Sequence, residues 1–303
     1  MKLKPISIRL KSWQWAVAAL LLTVVVIVLS YMLSEAVDFH NCFRPSVIGA
    51  LHGRSPFEIA CYFNVPWAVL PLIPIAILPE QIGRAVLFVC ALIAYIFAAQ
   101  RFGAKPLSLV FFLLSPPVIH DLINGNLDWM VVLGFVLPHP IGIFFLAIKP
   151  QLSAALALFW LIEDWRAGGW RLVLRNYMPV AIAFLLTLAI YGIWPLRFGI
   201  GLEASWEANA SLWPMSIPVG LALMVAAIRQ RNQRFATAAS PCFSPYLKFH
   251  SWNVAFWLLS TASRKRLPQL WACGFWWRFA PRAGKFSWFF QIGHPPQVCL
   301  RGS

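Results

Sequence analysis

Asp38, Lys149 and a polar run from His120 to Asp128 are the first side chains in this sequence whose types and spacing can do chemistry. Each lies beside an apolar run, where an ionisable group is costly and becomes a candidate functional residue by default. Asp38 follows the first long apolar run by about one helical turn. A carboxylate there can take a proton from a bound hydroxyl as a general base. The same position suits a solvated loop acid or a helix N-cap. Lys149 stands between two apolar halves, Ile143–Ile148 and the run after Pro150. A lysine held in a cavity at such a break can grip a phosphate as a point charge, or it can anchor the chain at a cytoplasmic membrane surface. Both readings remain open for both residues.

His120, Asp121, Asn124, Gly125, Asn126 and Asp128 cluster between two short apolar segments. They can border a site or form an ordinary polar turn. Tyr246, His250 and Ser251 form another turn, where a lone histidine is more often an interfacial residue than a catalyst. Asp121 and Asp128 are seven residues apart, a spacing that neither builds nor excludes a cation site. No paired His-x-x-x-His, Cys-x-x-Cys, Walker loop, Gly-x-Gly-x-x-Gly or Gly-x-Ser-x-Gly motif occurs. No metal and no cofactor are therefore expected. Cys42 and Cys61 share one polar segment and can pair in an oxidising compartment. Asn209-Ala210-Ser211 has the form of a glycosylation sequon.

The elements that must hold these residues are membrane helices. The 303 residues are 60% hydrophobic and 12% charged, against roughly 45–50% and 25% in soluble domains. This excludes a soluble enzyme, and 24 Phe with 16 Trp exclude a disordered chain. Six cysteines without tight spacing exclude a disulfide-stapled module. The net charge of +15 comes from short basic clusters between apolar runs, which marks a polytopic membrane protein in contact with anionic lipid and not a nucleic-acid binder. The expected fold is all-α: a polytopic integral membrane bundle of about eight to ten spans with several short, interrupted helices.

Ala16–Leu33 carries no charge and reads as the first span, preceded by Lys2, Lys4, Arg9 and Lys11. Ser34-Glu35-Ala36 also has the small-x-small form of a cleavage site, but the apolar run exceeds the usual ~7–15 residues of a signal peptide. Residues 65–79 hold four prolines and read as a short or re-entrant segment. Apolar runs follow at 85–99, 106–119, 127–137, 141–148, 151–162, 177–196, 215–228, 235–249 and 252–261, with a polar turn from Glu163 to Arg175. With the N-terminus in the cytoplasm, the clusters at Arg101/Lys105, Arg166–Arg175, Arg229–Arg234 and Arg264–Arg266 fall inside. Asp38, Glu58, Asp121, Glu203 and Glu207 then fall outside. Short, proline-broken segments survive in lipid only where protein or a water-filled cavity surrounds them, so those between 106 and 162 should line a cavity.

Four ordered motifs resemble glycosyltransferase family 87, the polyprenol-phosphate-mannose-dependent enzymes of the GT-C superfamily. They are Asp38-Phe39-His40 with Gly53-Arg54-Ser55-Pro56-Phe57-Glu58 and the Pro-rich run from Val65-Pro66-Trp67; Leu114-Ser115-Pro116-Pro117 with Asn124-Gly125-Asn126-Leu127-Asp128; Ala147-Ile148-Lys149-Pro150-Gln151-Leu152; and Ser244-Pro245-Tyr246 with His250. Asn126 and Asp128 replace the Gln and Asn of the family's Gly-Gln-x-Asn. The resemblance covers residues 1–262; residues 263–303 read as one more span plus an irregular tail.

The resemblance implies transfer of a hexose, mannose in the family, from a polyprenyl-phosphate donor to a glycan or glycolipid acceptor outside a bacterial plasma membrane. Asp38 would be the base of a single inverting displacement. Lys149 and His250 would hold the donor phosphate, and Glu58, His120, Asn124, Asn126 and Asp128 are candidates to line the cavity. The alternatives are a multi-span transporter or lipid flippase, which broken helices serve equally well, and an inactive truncated relative. No repeat relates the two halves of the chain, which counts against transport.

Overall fold

The computed structural model describes residues 11–197 and 208–261, with side chains described as far as Ala255. The proposed last span and tail at 263–303 lie outside the described residues, as do Glu203 and Glu207. No strand occurs among the described residues. The helices in chain order are α1 (Ser12–Met32), α2 (Arg44–Leu51), α3 (Ile73–Ala76), α4 (Glu80–Arg101), α5 (Pro106–Leu113), α6 (Pro116–Asn124), α7 (Asp128–Gly134), α8 (His139–Leu146), α9 (Pro150–Tyr191), α10 (Ile217–Gln230) and α11 (Gln233–Ala239).

Three of them, α1, α4 and α9, are long and apolar enough to cross a membrane. The pair α5 and α6, bent by 58°, would make a fourth if taken as one span. Among the described residues, length and composition thus give three such helices, or four with the bent pair, against the eight to ten spans read from the apolar runs of the whole chain. The runs at 127–137, 141–148 and 215–228 fold as helices too short to cross about 30 Å of hydrocarbon. Prolines set many of the breaks: Pro66, Pro106, Pro116, Pro140 and Pro150 each sit in the first turn of a helix, where a missing N–H costs nothing. Residues 65–79 stay non-spanning, as expected, in a buried 3₁₀ segment at Pro66–Leu72 followed by α3.

The expected polar turn at Glu163–Arg175 is tighter than its polar residues suggest: helix continues into it from both sides, and the reversal falls at Gly169 alone (φ 62°, ψ −158°). The two halves of α9 fold back on each other. Tyr177 donates to the Ala157 carbonyl at 2.6 Å, and the Asn176 amide to Asp164 at 2.8 Å. Residues twenty apart in a straight helix would lie about 30 Å apart. The expected run at 235–249 is likewise not one helix: α11 ends at Ala239 and gives way to a 3₁₀ turn at Ser240–Phe243.

Helix α1 buries only Ser30 and carries apolar side chains all round, the pattern of a helix surrounded by hydrocarbon. Arg84 on α4 ties to it through the Ser30 carbonyl at 3.1 Å. The core lies among α4, α7, α8, the first half of α9 and α11, with Tyr95, Met130, Phe135, Leu152, Trp160 and Ala236 fully or nearly fully buried. Helix α4 spans about 33 Å at 1.5 Å per residue and separates two polar ends. At its start Glu80 pairs with His40 and Arg44. At its finish Arg101 borders a cleft shared with His139, Glu163 and Arg231.

Candidate functional site

Gly125 ends α6 in the left-handed conformation (φ 65°), the usual glycine stop for a helix. The turn it makes is pressed against the chain that follows α1: a Cβ at position 125 would lie 3.0 Å from those of Ala36 and Phe39. The next residue, Asn126, therefore reaches Asp38, 88 positions earlier in the chain, and its amide nitrogen donates to Asp38 Oδ2. Asp38 occupies the N-cap position of a π-helical turn, Phe39–Phe43, yet makes no capping bond. Of the two bland readings for Asp38, the N-cap is thereby ruled out.

Helices α7 and α8 form a short hairpin, with Gly134 and Gly142 at the closest approach. Antiparallel packing brings the start of α7, Asp128, beside Lys149, which follows α8. Pro150 then opens α9, and Ser153 holds the break by donating to the Leu146 carbonyl at 2.6 Å. The Lys149 ammonium donates to Asn126 Oδ1 and to Asp128 Oδ1. Lys149 is 6% exposed and Asp128 0%, so this is a buried ion pair and not a surface anchor. Asn126 joins the two key groups, donating to Asp38 and accepting from Lys149.

The third wall comes from the turn after α11. Asn209 clamps it, donating to the Pro245 carbonyl at 3.0 Å and accepting from the Leu247 N–H at 3.0 Å. The sequon asparagine thus has its amide engaged inside the fold. Beyond the clamp, Lys248 approaches Asp38 Oδ1 at 3.7 Å, and His250 opens a 3₁₀ segment, Phe249–Thr261. Residues three apart eclipse in a 3₁₀ helix, so His250 and Asn253 share a face. His250 Nε2 lies 3.9 Å from Asp128 Oδ2, and Asn253 bonds Tyr95 at 2.9 Å and Asp128 at 3.4 Å. The polar chain ends where Tyr95 donates to Asp121 Oδ2 at 2.5 Å.

Above these groups opens a cavity of about 300 Å³, bordered by Asp38, Asn126, Lys149, Lys248 and His250. Cys42 and Cys61 also border it and are joined by a disulfide. The structure thus brings Asp38, Lys149 and His250 together around one space. Of the residues expected to line it, Asn126 does so and Asp128 lies buried just beneath Lys149. Three expected liners do not border it. Glu58 folds back onto the Ser55 N–H at 3.1 Å to cap its own turn. His120 stacks behind His250 at 5.6 Å between ring centres, and Asn124 bonds back to the His120 carbonyl at 2.9 Å. Helix geometry explains the last two: positions four apart on α6 turn toward each other and away from the cavity.

Burial alone would push the Asp38 carboxyl up, but Lys248, His250 when protonated, Lys149 and the Asn126 amide together hold it below the usual carboxylate range. Asp38 is therefore ionised at neutral pH. Burial, with Lys149, Lys248 and His120 nearby, pushes His250 well below the usual imidazole range against the opposing pull of Asp38. His250 is therefore neutral at neutral pH. Lys248, Asn253, Tyr95 and Asn209 were not singled out as site residues from the sequence. Tyr95 alone carried a signal, as a hydroxyl inside an otherwise apolar span.

No protein-family model, curated protein or solved structure matches the chain.

Proposed function

We propose that the chain is an integral membrane glycosyltransferase of the GT-C type, transferring a hexose from a polyprenyl-phosphate donor to an extracytoplasmic glycan or glycolipid acceptor. The observation that carries this reading is one ionised carboxylate facing two ammonium groups across a single cavity: Asp38 against Lys149 and Lys248. Direct displacement at an anomeric carbon requires a base on the acceptor side and positive charge where the phosphate leaves. Asp38 accepts the acceptor's proton as its oxygen attacks. The sugar–phosphate bond breaks, and the negative charge that develops on the leaving phosphate is met by Lys149 and Lys248. His250, neutral and buried, offers a ring N–H to a phosphate oxygen. A lipid-linked donor arrives through the bilayer, which accords with apolar helices around the cavity. The basic cleft at Arg101 and Arg231 would then lie on the cytoplasmic side, as the charge pattern requires.

The test is transfer of labelled mannose from polyprenyl-phosphate-mannose in membranes carrying the full chain or its Asp38→Asn variant. Loss of a general base lowers transfer by ~10²–10⁴-fold. Equal transfer by both proteins would remove Asp38 from the mechanism. Movement of the lipid-linked sugar across the bilayer without covalent product would instead identify a lipid translocator.

A further inference from the structure

We propose that Asp121, Asp128 and His250 bind a divalent transition-metal cation beneath the cavity floor. Each offers one ligand atom, and these atoms lie within 4.8 Å of one another. The three side chains come from α6, from α7 and from the 3₁₀ segment after α11, and they are 1%, 0% and 2% exposed.

Buried polar atoms are almost always paired. Here Asp121 Oδ1 and both ring nitrogens of His250 have no hydrogen-bond partner among the described residues. The neighbouring Asn253 Oδ1 has none either. Each carboxylate keeps one oxygen for an outer partner, Tyr95 on Asp121 Oδ2 and Lys149 on Asp128 Oδ1. Of the other two oxygens, Asp121 Oδ1 has no hydrogen-bond partner among the described residues and Asp128 Oδ2 accepts only a long bond from the Asn253 amide at 3.4 Å, which a cation would replace; outer partners then orient both ligands from behind.

Charge supports the same assignment. Lys248 balances Asp38 at the cavity edge, so Lys149 alone faces the two carboxylates below it. With both carboxylates ionised one buried negative charge would remain, which is expensive in a low-dielectric interior, so that without a cation burial and Asp128 favour a proton on Asp121. A divalent cation compensates that charge and makes the floor net positive. Two ligands at ~2.1 Å from one ion can be at most about 4.2 Å apart, so the site needs to close by roughly half an ångström. His250 Nε2 and Asp128 Oδ2, at 3.9 Å, already satisfy the limit. One imidazole with two carboxylates and no thiolate suits Mn²⁺ or Zn²⁺.

The binding claim stands apart from the transfer reading and is tested without it. The full chain in detergent is stripped with a chelator, and Mn²⁺ or Zn²⁺ alone is titrated while bound ion and the thermal midpoint are followed. One ion per chain and a rise of the midpoint are expected. Asp121→Asn, nearly isosteric, and His250→Ala should each weaken binding by ~10-fold or more. Glu163→Gln, at the opposite cleft, should leave binding unchanged. The melting transition of each metal-free variant reports whether it is folded. The proposal is overturned by absence of saturable binding at millimolar ion in the wild-type chain, or by equal affinity in the folded Asp121→Asn and His250→Ala variants. It is also overturned if Asp121→Asn stabilises a chain whose midpoint ignores metal, since the carboxylates would then be sharing a proton.

Discussion

Replacing Lys149 with methionine isolates the buried pair on which the cavity is built. Lys149 is 6% exposed, and its ammonium makes two bonds, to Asn126 Oδ1 and Asp128 Oδ1. Methionine fills nearly the same volume, so the packing cost is small. What remains is Asp128 at 0% exposure with one amide donor at 3.4 Å and a neutral histidine at 3.9 Å. Neither can replace an ammonium. Breaking a buried pair from one side costs about 3–5 kcal/mol. Against a total stability of ~5–15 kcal/mol this is a large loss. The double variant Lys149→Met/Asp128→Asn removes the stranded charge as well and should recover about half or more of the loss. Equilibrium unfolding in detergent, with a chelator present, measures all four corners of the cycle. A loss below about 1 kcal/mol in the single variant, or a double variant no more stable than it, would refute the buried ion pair and the phosphate site built on it.

Three further outcomes follow from the same geometry. Because the folded-state pKa of Asp38 is depressed, its contribution to stability is complete above the unfolded value of about 3.9 and disappears as pH falls through the lower folded value; acid unfolding of Asp38→Asn should be flatter below about pH 4. An acid limb identical to the wild type would mean that Asp38 is not held ionised by its neighbours. Reducing the Cys42–Cys61 disulfide, which closes a loop of sequence separation 19, should lower stability by about 3 kcal/mol, read as a lower midpoint in the presence of reductant. Gly125→Ala introduces a Cβ 3.0 Å from two others at a φ of 65°, which costs about 1–3 kcal/mol and should depress transfer further than Gly53→Ala, whose added Cβ meets nothing within 4 Å.

The sequence announced some of this and concealed the rest. Apolar runs with few charges already marked membrane helices, since hydropathy is a local sum over one window. The break at Lys149-Pro150 and the non-spanning segment at 65–79 were legible for a similar reason: proline's missing N–H acts at its own position. The reversal between Glu163 and Arg175 was legible from its polar residues, but its width was not, because arginines are polar yet good helix formers. The turn itself is made at Gly169, with its positive φ. Glu58, His120 and Asn124 were misplaced because proximity in sequence does not say which way a side chain turns. Lys248 and Asn253 carried no signal of their own.

The amino-acid order alone decided the chemical identity of Asp38 and Lys149 and their place beside apolar runs, because the position of a charge beside such a run is fixed by counting residues. The tertiary fold decided that these two groups share Asn126, that Asp128 lies beneath them, and that Asp121, Asp128 and His250 converge behind. Such meetings depend on one left-handed turn at Gly125 and on the close approach of α7 and α8. Contacts between residues 88 positions apart arise from helix packing, and no local window of sequence contains that distance.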